Sequence, residues 1–183
     1  MPWPRSISRE PHLGHRLVPV VIRAGEHRDL PDITRIYNHY VLTSHVTFDV
    51  EPVSLGEREL WFAGFGPRGR QRLYVAEDEG RSVGYATSTP IRPKPAYAPS
   101  VETTVYVSPE RVGRGIGRIL YEKLLSALEE EDVHRAYAGI ALPNPPSVAL
   151  HEALGYRHVG TFSEAGRKFG RYWSIGWWER RFQ

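Results

Sequence analysis

The chain has 183 residues, which at about 150 residues per domain argues for one domain, read here over residues 20–183. Its 40% hydrophobic content is too high for a wholly disordered chain, and no apolar run approaches the length of a membrane span. The cysteine count is 0, which excludes disulfides, thiolate metal sites and cysteine nucleophiles, and 24 Lys+Arg against 21 Asp+Glu is too even to indicate nucleic acid.

Residues 1–19 carry Pro2, Pro4, Pro11 and Pro19 with no apolar period. They read as a disordered leader, with a targeting or partner-binding arm as the alternative. The folded pattern starts with a β-branched run at 20–23. A helix follows from Asp29, with Pro31 in its first turn and Ile33, Ile36, Tyr37, Tyr40 and Val41 at helical spacing. Residues 54–65 read as a second helix marked by Leu55, Leu60, Trp61 and Phe65. Strands at 73–76 and 83–87 flank a tight turn at Glu79-Gly80. A bridge holding Pro90, Pro93, Pro95 and Pro99 cannot pair as a central strand. Residues 101–107 alternate, with Val101, Thr103, Val105 and Val107 on one face and Glu102, Thr104 and Tyr106 on the other. A long helix from Ile116 carries Leu120, Leu124 and Leu128 on one stripe. A strand at 136–140, a short helix at 146–154 ending at Gly155, and strands at 156–162 and 171–178 complete the chain. The order βααβββαβαββ gives an α/β domain around a mixed sheet.

The sharpest local feature is Val112-Gly113-Arg114-Gly115-Ile116-Gly117-Arg118, between a strand and the long helix. Three alternate glycines let backbone amides converge on a ligand, and the helix N-terminus adds positive potential. The expected guest is a pyrophosphate. A Walker loop would end in Gly-Lys-Ser/Thr, which is absent. A Rossmann turn would need glycine in place of Arg118 and an acidic residue after the next strand, which ends Gly139-Ile140-Ala141. The acyl-CoA loop, Gln/Arg-x-x-Gly-x-Gly/Ala, fits at Gly115 and Gly117, with Val112 departing at its first position. A glycine-rich turn without a ligand is the plain alternative.

The chain resembles the GNAT acetyltransferases, and within them the phosphinothricin and methionine sulfoximine N-acetyltransferase group. The stretches that carry the resemblance are Ile36 to Tyr40, Thr47-Phe48, Val101 to Ser108, Leu142-Pro143-Asn144 with Ser147, His151 to Tyr156, Phe169 to Trp173 and Gly176-Trp177-Trp178. The resemblance implies a mixed, mostly antiparallel sheet with splayed central strands, flanked by helices. It implies transfer of acetyl from acetyl-CoA to the primary amine of a small amino-acid-like acceptor, by direct attack in a ternary complex. The pantetheine would lie along Val105, Tyr106 and Val107, the pyrophosphate on Gly113 to Arg118, and the cofactor tail beside Asn144 and Ser147.

Glu102 matches the family's general base, and partial burial of its carboxylate would raise its pKa toward that task. His151 stands where many relatives carry a tyrosine that protonates the departing thiolate. It is read as acid or base, or else as a helix-capping or supporting histidine. Arg92, Lys94 and Tyr97 match positions that face the acceptor, and Phe48 and Tyr106 match further positions near its pocket. Ala98-Pro99 and Pro145 depart from the family pattern and leave the acceptor open among phosphinothricin, methionine sulfoximine or sulfone, and other small amino acids. A protein N-terminal acetyltransferase and a non-catalytic acyl-CoA sensor are the competing functions. No metal is expected. The cytoplasm is the expected compartment, and the resemblance with the aromatic C-terminal strands suggests a homodimer.

Overall fold

A computed structural model describes residues 20–182. The expected leader at 1–19 lies outside them. Seven strands form one sheet in the order β1-β2-β3-β4-β5-β7-β6. They are β1 (Val21–Ala24), β2 (Arg72–Asp78), β3 (Arg81–Pro90), β4 (Ser100–Val107), β5 (Arg135–Leu142), β6 (Arg157–Lys168) and β7 (Arg171–Arg181). Four helices accompany them: α1 (Leu30–Thr43), α2 (Leu55–Phe62), α3 (Ile116–Glu129) and α4 (Pro145–Ala153). The expected element order is the observed one.

Local chemistry explains the boundaries. Pro31 sits in the first turn of α1, where a missing N–H costs nothing. Ser54 caps α2 by accepting from the Glu57 amide, while Glu57 reaches back to the Ser54 amide. Glu79 and Gly80 both adopt positive φ, the geometry of a two-residue hairpin turn between β2 and β3. Phe169 and Gly170 repeat that geometry between β6 and β7.

Two differences from the sequence reading stand out. Strand β6 runs on to Lys168 rather than stopping at 162. The polar stretch Ser163 to Gly166 has the composition of a turn, yet β7 holds it through a register shift between Phe162 and Gly166, with Glu164 at φ 53°. In α2, Trp61 and Phe62 pack partly against the core, but its most buried residue is a charged one. Leu60 is 80% exposed, and the one buried residue is Arg58.

The sheet is covered on both faces. The α3 stripe of Ile116, Leu120, Leu124 and Leu128 packs with Ala136, Ala138, Ile140 and Trp178. Full burial of each leucine stabilises by roughly 1.5–3 kcal/mol. On the opposite face, Ile33 and Ile36 of α1 pack on Leu73, Val75 and Tyr85. Among the described residues, no helix is long and apolar enough to cross a membrane.

One irregularity positions everything that follows. β4 and β5 run parallel, but their pairing covers only Ser100↔Arg135, Val101↔Ala136 and Glu102↔Tyr137. Beyond Glu102 the strands part, although β4 stays paired to β3 and β5 to β7.

Candidate active site

The gap between β4 and β5 exposes a row of backbone groups. The Ser108 amide donates to the Val83 carbonyl at 2.8 Å, so Ser108 faces β3. Backbone groups alternate sides along a strand, so those of Val105 and Val107 face the gap. The Val107 carbonyl already accepts from the Tyr40 hydroxyl at 2.7 Å. Tyr40, which sequence reasoning placed only on a helix face, thereby becomes part of the site.

The gap opens on the α3 face into a cleft of about 530 Å³. Val105, Tyr106 and Val107 line one wall, and Asn144, Ser147 and His151 line another. Gly113, Gly115, Ile116, Gly117 and Arg118 close its end, whereas Arg114 is not among its lining residues. Gly113 and Gly115 have φ of 76° and 77°, in the left-handed region that favours glycine. A Cβ at either would meet nothing within 4 Å, so the loop surrounds open space. Gly115 is the N-cap of α3 and supplies no side-chain cap, which leaves the first-turn amides available to an anion. The guanidinium of Arg118 pairs with Glu122 at 2.8 Å. Asn144 caps α4 by accepting from the Ser147 amide at 3.3 Å, and Pro145 fits the first turn that follows. An unpaired strand edge, an uncapped helix start and an open glycine cradle fit the pantetheine and pyrophosphate of an acyl-CoA.

At the inner end of this cleft, His151 is 3% exposed. Its Nδ1 donates to the Ser147 carbonyl at 2.7 Å, so in the neutral ring Nε2 is an acceptor. Nε2 lies 2.9 Å from the Tyr121 hydroxyl, which donates to it. Burial holds His151 below the ordinary imidazole value, against the opposing bond to Ser147, and favours that neutral ring. Both ring nitrogens are thus engaged within the protein, and Tyr121 stands between His151 and other partners. Tyr121 was not singled out from sequence. Its signal was a lone hydroxyl on a leucine stripe, in register with Leu124 and Leu128.

Glu102, Thr104 and Tyr106 point to the other face of β4 and line a second cavity of about 410 Å³. Phe48 is there too, packed so closely that a Cβ on Gly166 would lie 2.5 Å from its ring. Desolvation raises the Glu102 carboxyl above its ordinary 4.5, and the charge of Arg92 partly opposes the shift. Tyr37, Asp49, Arg58 and Trp61 complete the walls, and sequence reasoning proposed none of them for this site. The Tyr37 hydroxyl donates to Asp49 at 2.6 Å, and burial pushes its phenol up to about 12.

Arg92 and Lys94 sit elsewhere. They line a third cavity of about 630 Å³ together with Arg68, Arg70, Glu131 and Asp132. Tyr97 is 47% exposed and lines none of the three cavities. Among the described residues, no group of three or more His, Cys, Asp or Glu is arranged to hold a metal ion.

The Glu102 cavity and the glycine-loop cleft share Val46, Thr104, Tyr106, Gly139 and Ala141, so they meet at the gap in the sheet. The family profile described as the acetyltransferase (GNAT) domain matches residues 22–177. The chain belongs to the GNAT acetyltransferases. It is an acetyl-CoA-dependent N-acetyltransferase. The chain is similar to a phosphinothricin N-acetyltransferase of Streptomyces coelicolor, with 55% identity over 88% of this chain and 95% of that protein. It is 32% identical to an L-methionine sulfoximine/L-methionine sulfone acetyltransferase of Pseudomonas paraeruginosa, over 82% of this chain and 88% of the other. The crystal structure of a phosphinothricin acetyltransferase from Sinorhizobium meliloti, in complex with acetyl-CoA, superposes with a TM-score of 0.85 at 34% identity. That superposition covers 89% of this chain and 88% of the crystallised one. In this GNAT member β4 and β5 splay apart as the family resemblance implies.

Proposed function

We propose that this acetyltransferase acylates the primary amine of a small amino acid of the phosphinothricin or methionine sulfoximine type. The observation that carries the reading is the meeting of the two cavities at the β4–β5 gap, with Glu102 on the acceptor side and the glycine loop on the donor side. Bound acetyl-CoA supplies an activated acyl carbonyl.

The amides of the loop and of the α3 start hold the diphosphate. The backbone of Val105 and Val107 aligns the pantetheine arm beside the gap. Glu102 takes a proton from the acceptor's ammonium, directly or through water, and its raised pKa makes it a stronger base. Phe48 and Tyr106 shape the apolar part of the acceptor cavity. The Tyr121–His151 pair keeps a proton at the Tyr121 hydroxyl, at the inner end of the donor cleft. Arg92 biases Glu102 through space from the third cavity, which Lys94 also lines.

The test is a panel of phosphinothricin, methionine sulfoximine, methionine sulfone, common amino acids and short peptides, read by CoA release. Turnover of the free amino acids is expected. Acetylation of peptides alone would replace this reading with a protein N-terminal acetyltransferase, and no turnover with bound acetyl-CoA would leave a sensor.

We further infer a cytoplasmic homodimer. Strand β6 ends the sheet and exposes Val159 and Phe162, with Phe169 and Tyr172 following in its hairpin, an edge that favours pairing. Cell fractionation and sedimentation mass read this directly, and a monomer mass would remove the dimer.

A further inference from the structure

Helix α2 inverts the usual order of burial. Leu55 is 45% exposed and Leu60 80%, while the guanidinium-bearing Arg58 is 6% exposed. Its Nε and Nη2 are buried without a hydrogen-bond partner. No carboxylate is paired with it among the described residues. A buried charge left without a hydrogen-bond partner is costly to the fold.

What surrounds the guanidinium is an aromatic clamp. Its carbon lies 4.7 Å from the centre of the Tyr37 ring and 4.5 Å from that of Trp61. Such cation–π contacts hold the charge and fix the plane of the fork, but they leave the N–H donors unused. Tyr85 and Tyr106 stack on one another at 5.6 Å and complete the box. Burial raises the phenols of Tyr37, Tyr85 and Tyr106, and the positive charge of Arg58 works against the rise at all three. Arg58, Glu102 and Tyr106 line the same cavity.

We propose that Arg58 is the anion receptor of the acceptor cavity, its unpaired N–H donors taking an oxyanion of the acceptor (carboxylate or phosphinate) while the amine is presented toward Glu102. This rests on the acetyl-transfer reading above and assigns the cavity a charged rather than a neutral acceptor. Glu102 and Tyr106 are four residues apart on one strand, about 13 Å at the usual rise, so an acceptor held by Arg58 passes its ammonium proton to Glu102 through bridging water. Arg58 stands at the Tyr106 end. The cavity is therefore bipolar, with a base at one end and a planar cation at the other. A bidentate oxyanion satisfies such a fork in a way that a lone water does not.

The experiment compares wild type with Arg58→Gln and Arg58→Lys on three acceptors: phosphinothricin, methionine sulfone and the carboxamide of methionine sulfone. Arg58→Gln is expected to raise the KM of acidic acceptors tenfold or more and leave the KM of acetyl-CoA unchanged. The carboxamide, which lacks the anion, is expected to change little. Loss shared by phosphinothricin and methionine sulfone assigns the α-carboxylate to Arg58, and loss confined to phosphinothricin assigns the phosphinate. Thermal stabilisation by phosphinothricin without acetyl-CoA is expected to vanish in Arg58→Gln, a reading independent of turnover. Should Arg58→Gln not fold, Arg58→Lys carries the same comparison, because it keeps the charge and loses the planar fork. Unchanged KM values and stabilisation, or equal losses on all three acceptors, would overturn the proposal. Absence of acetyl transfer by the wild type to any amine would instead defeat the functional reading, with the stabilisation arm still deciding the role of Arg58.

Discussion

Glu102→Gln is expected to lower kcat by about 10²–10⁴-fold, the usual contribution of a positioned general base. Affinity for acetyl-CoA should not change, because Glu102 is not among the residues lining the donor cleft. The same substitution is expected to leave the melting temperature equal or higher. Burial holds the Glu102 carboxyl above its ordinary value of 4.5, so the folded protein binds that proton more tightly than the unfolded chain does. Its contribution to stability is present below the unfolded value and is lost as pH rises through the folded one. Activity runs the opposite way, since only the ionised carboxylate can accept a proton. Across one pH window above 4.5 the wild type should therefore gain kcat/KM while this group's share of stability falls. Burial favours the neutral His151 ring and the acid limb belongs to Glu102, so His151→Gln should keep that limb of the profile. A pH-rate series with scanning calorimetry checks all of this. Full turnover by Glu102→Gln would remove the carboxylate from the chemistry.

Gly115→Val is the second large effect, expected to weaken acetyl-CoA binding tenfold or more by calorimetry. Gly115 adopts φ 77° at the N-cap of α3, so a β-branched residue there carries strain of order 1–3 kcal/mol. The protein itself has room, because a Cβ would meet nothing within 4 Å. Gly115→Asn separates the two causes, since asparagine tolerates a left-handed backbone. It should fold as the wild type does and still bind poorly, with its side chain intruding where the diphosphate lies. Wild-type affinity in the asparagine variant would show that the cradle holds nothing.

Much of this was legible in the chain. Period-2 alternation from Val101 to Val107 placed Glu102 and Tyr106 on one face of β4, where the structure has them. Glycines at 113, 115 and 117 announced a loop around open space, and two of them need their positive φ. The gap itself was not readable from the residues, because the failure of β4 and β5 to stay paired is a relation between distant segments. Arg58 was hidden for a different reason. A charged residue among Leu55, Leu60 and Trp61 reads as the solvent side of an amphipathic helix, and only tertiary packing turned that face inward. Tyr121 and His151 lie thirty positions apart, so no local pattern could join them. Strand β6 outlasted its sequence signal because β7 supplied the order that Ser163 to Gly166 lack.

The divergence of β4 from β5 makes the sheet a partition with a single window. Thr104, Tyr106, Gly139 and Ala141 frame it from both sides. Donor and acceptor arrive by separate doors and meet only in that opening, so neither must depart before the other can enter.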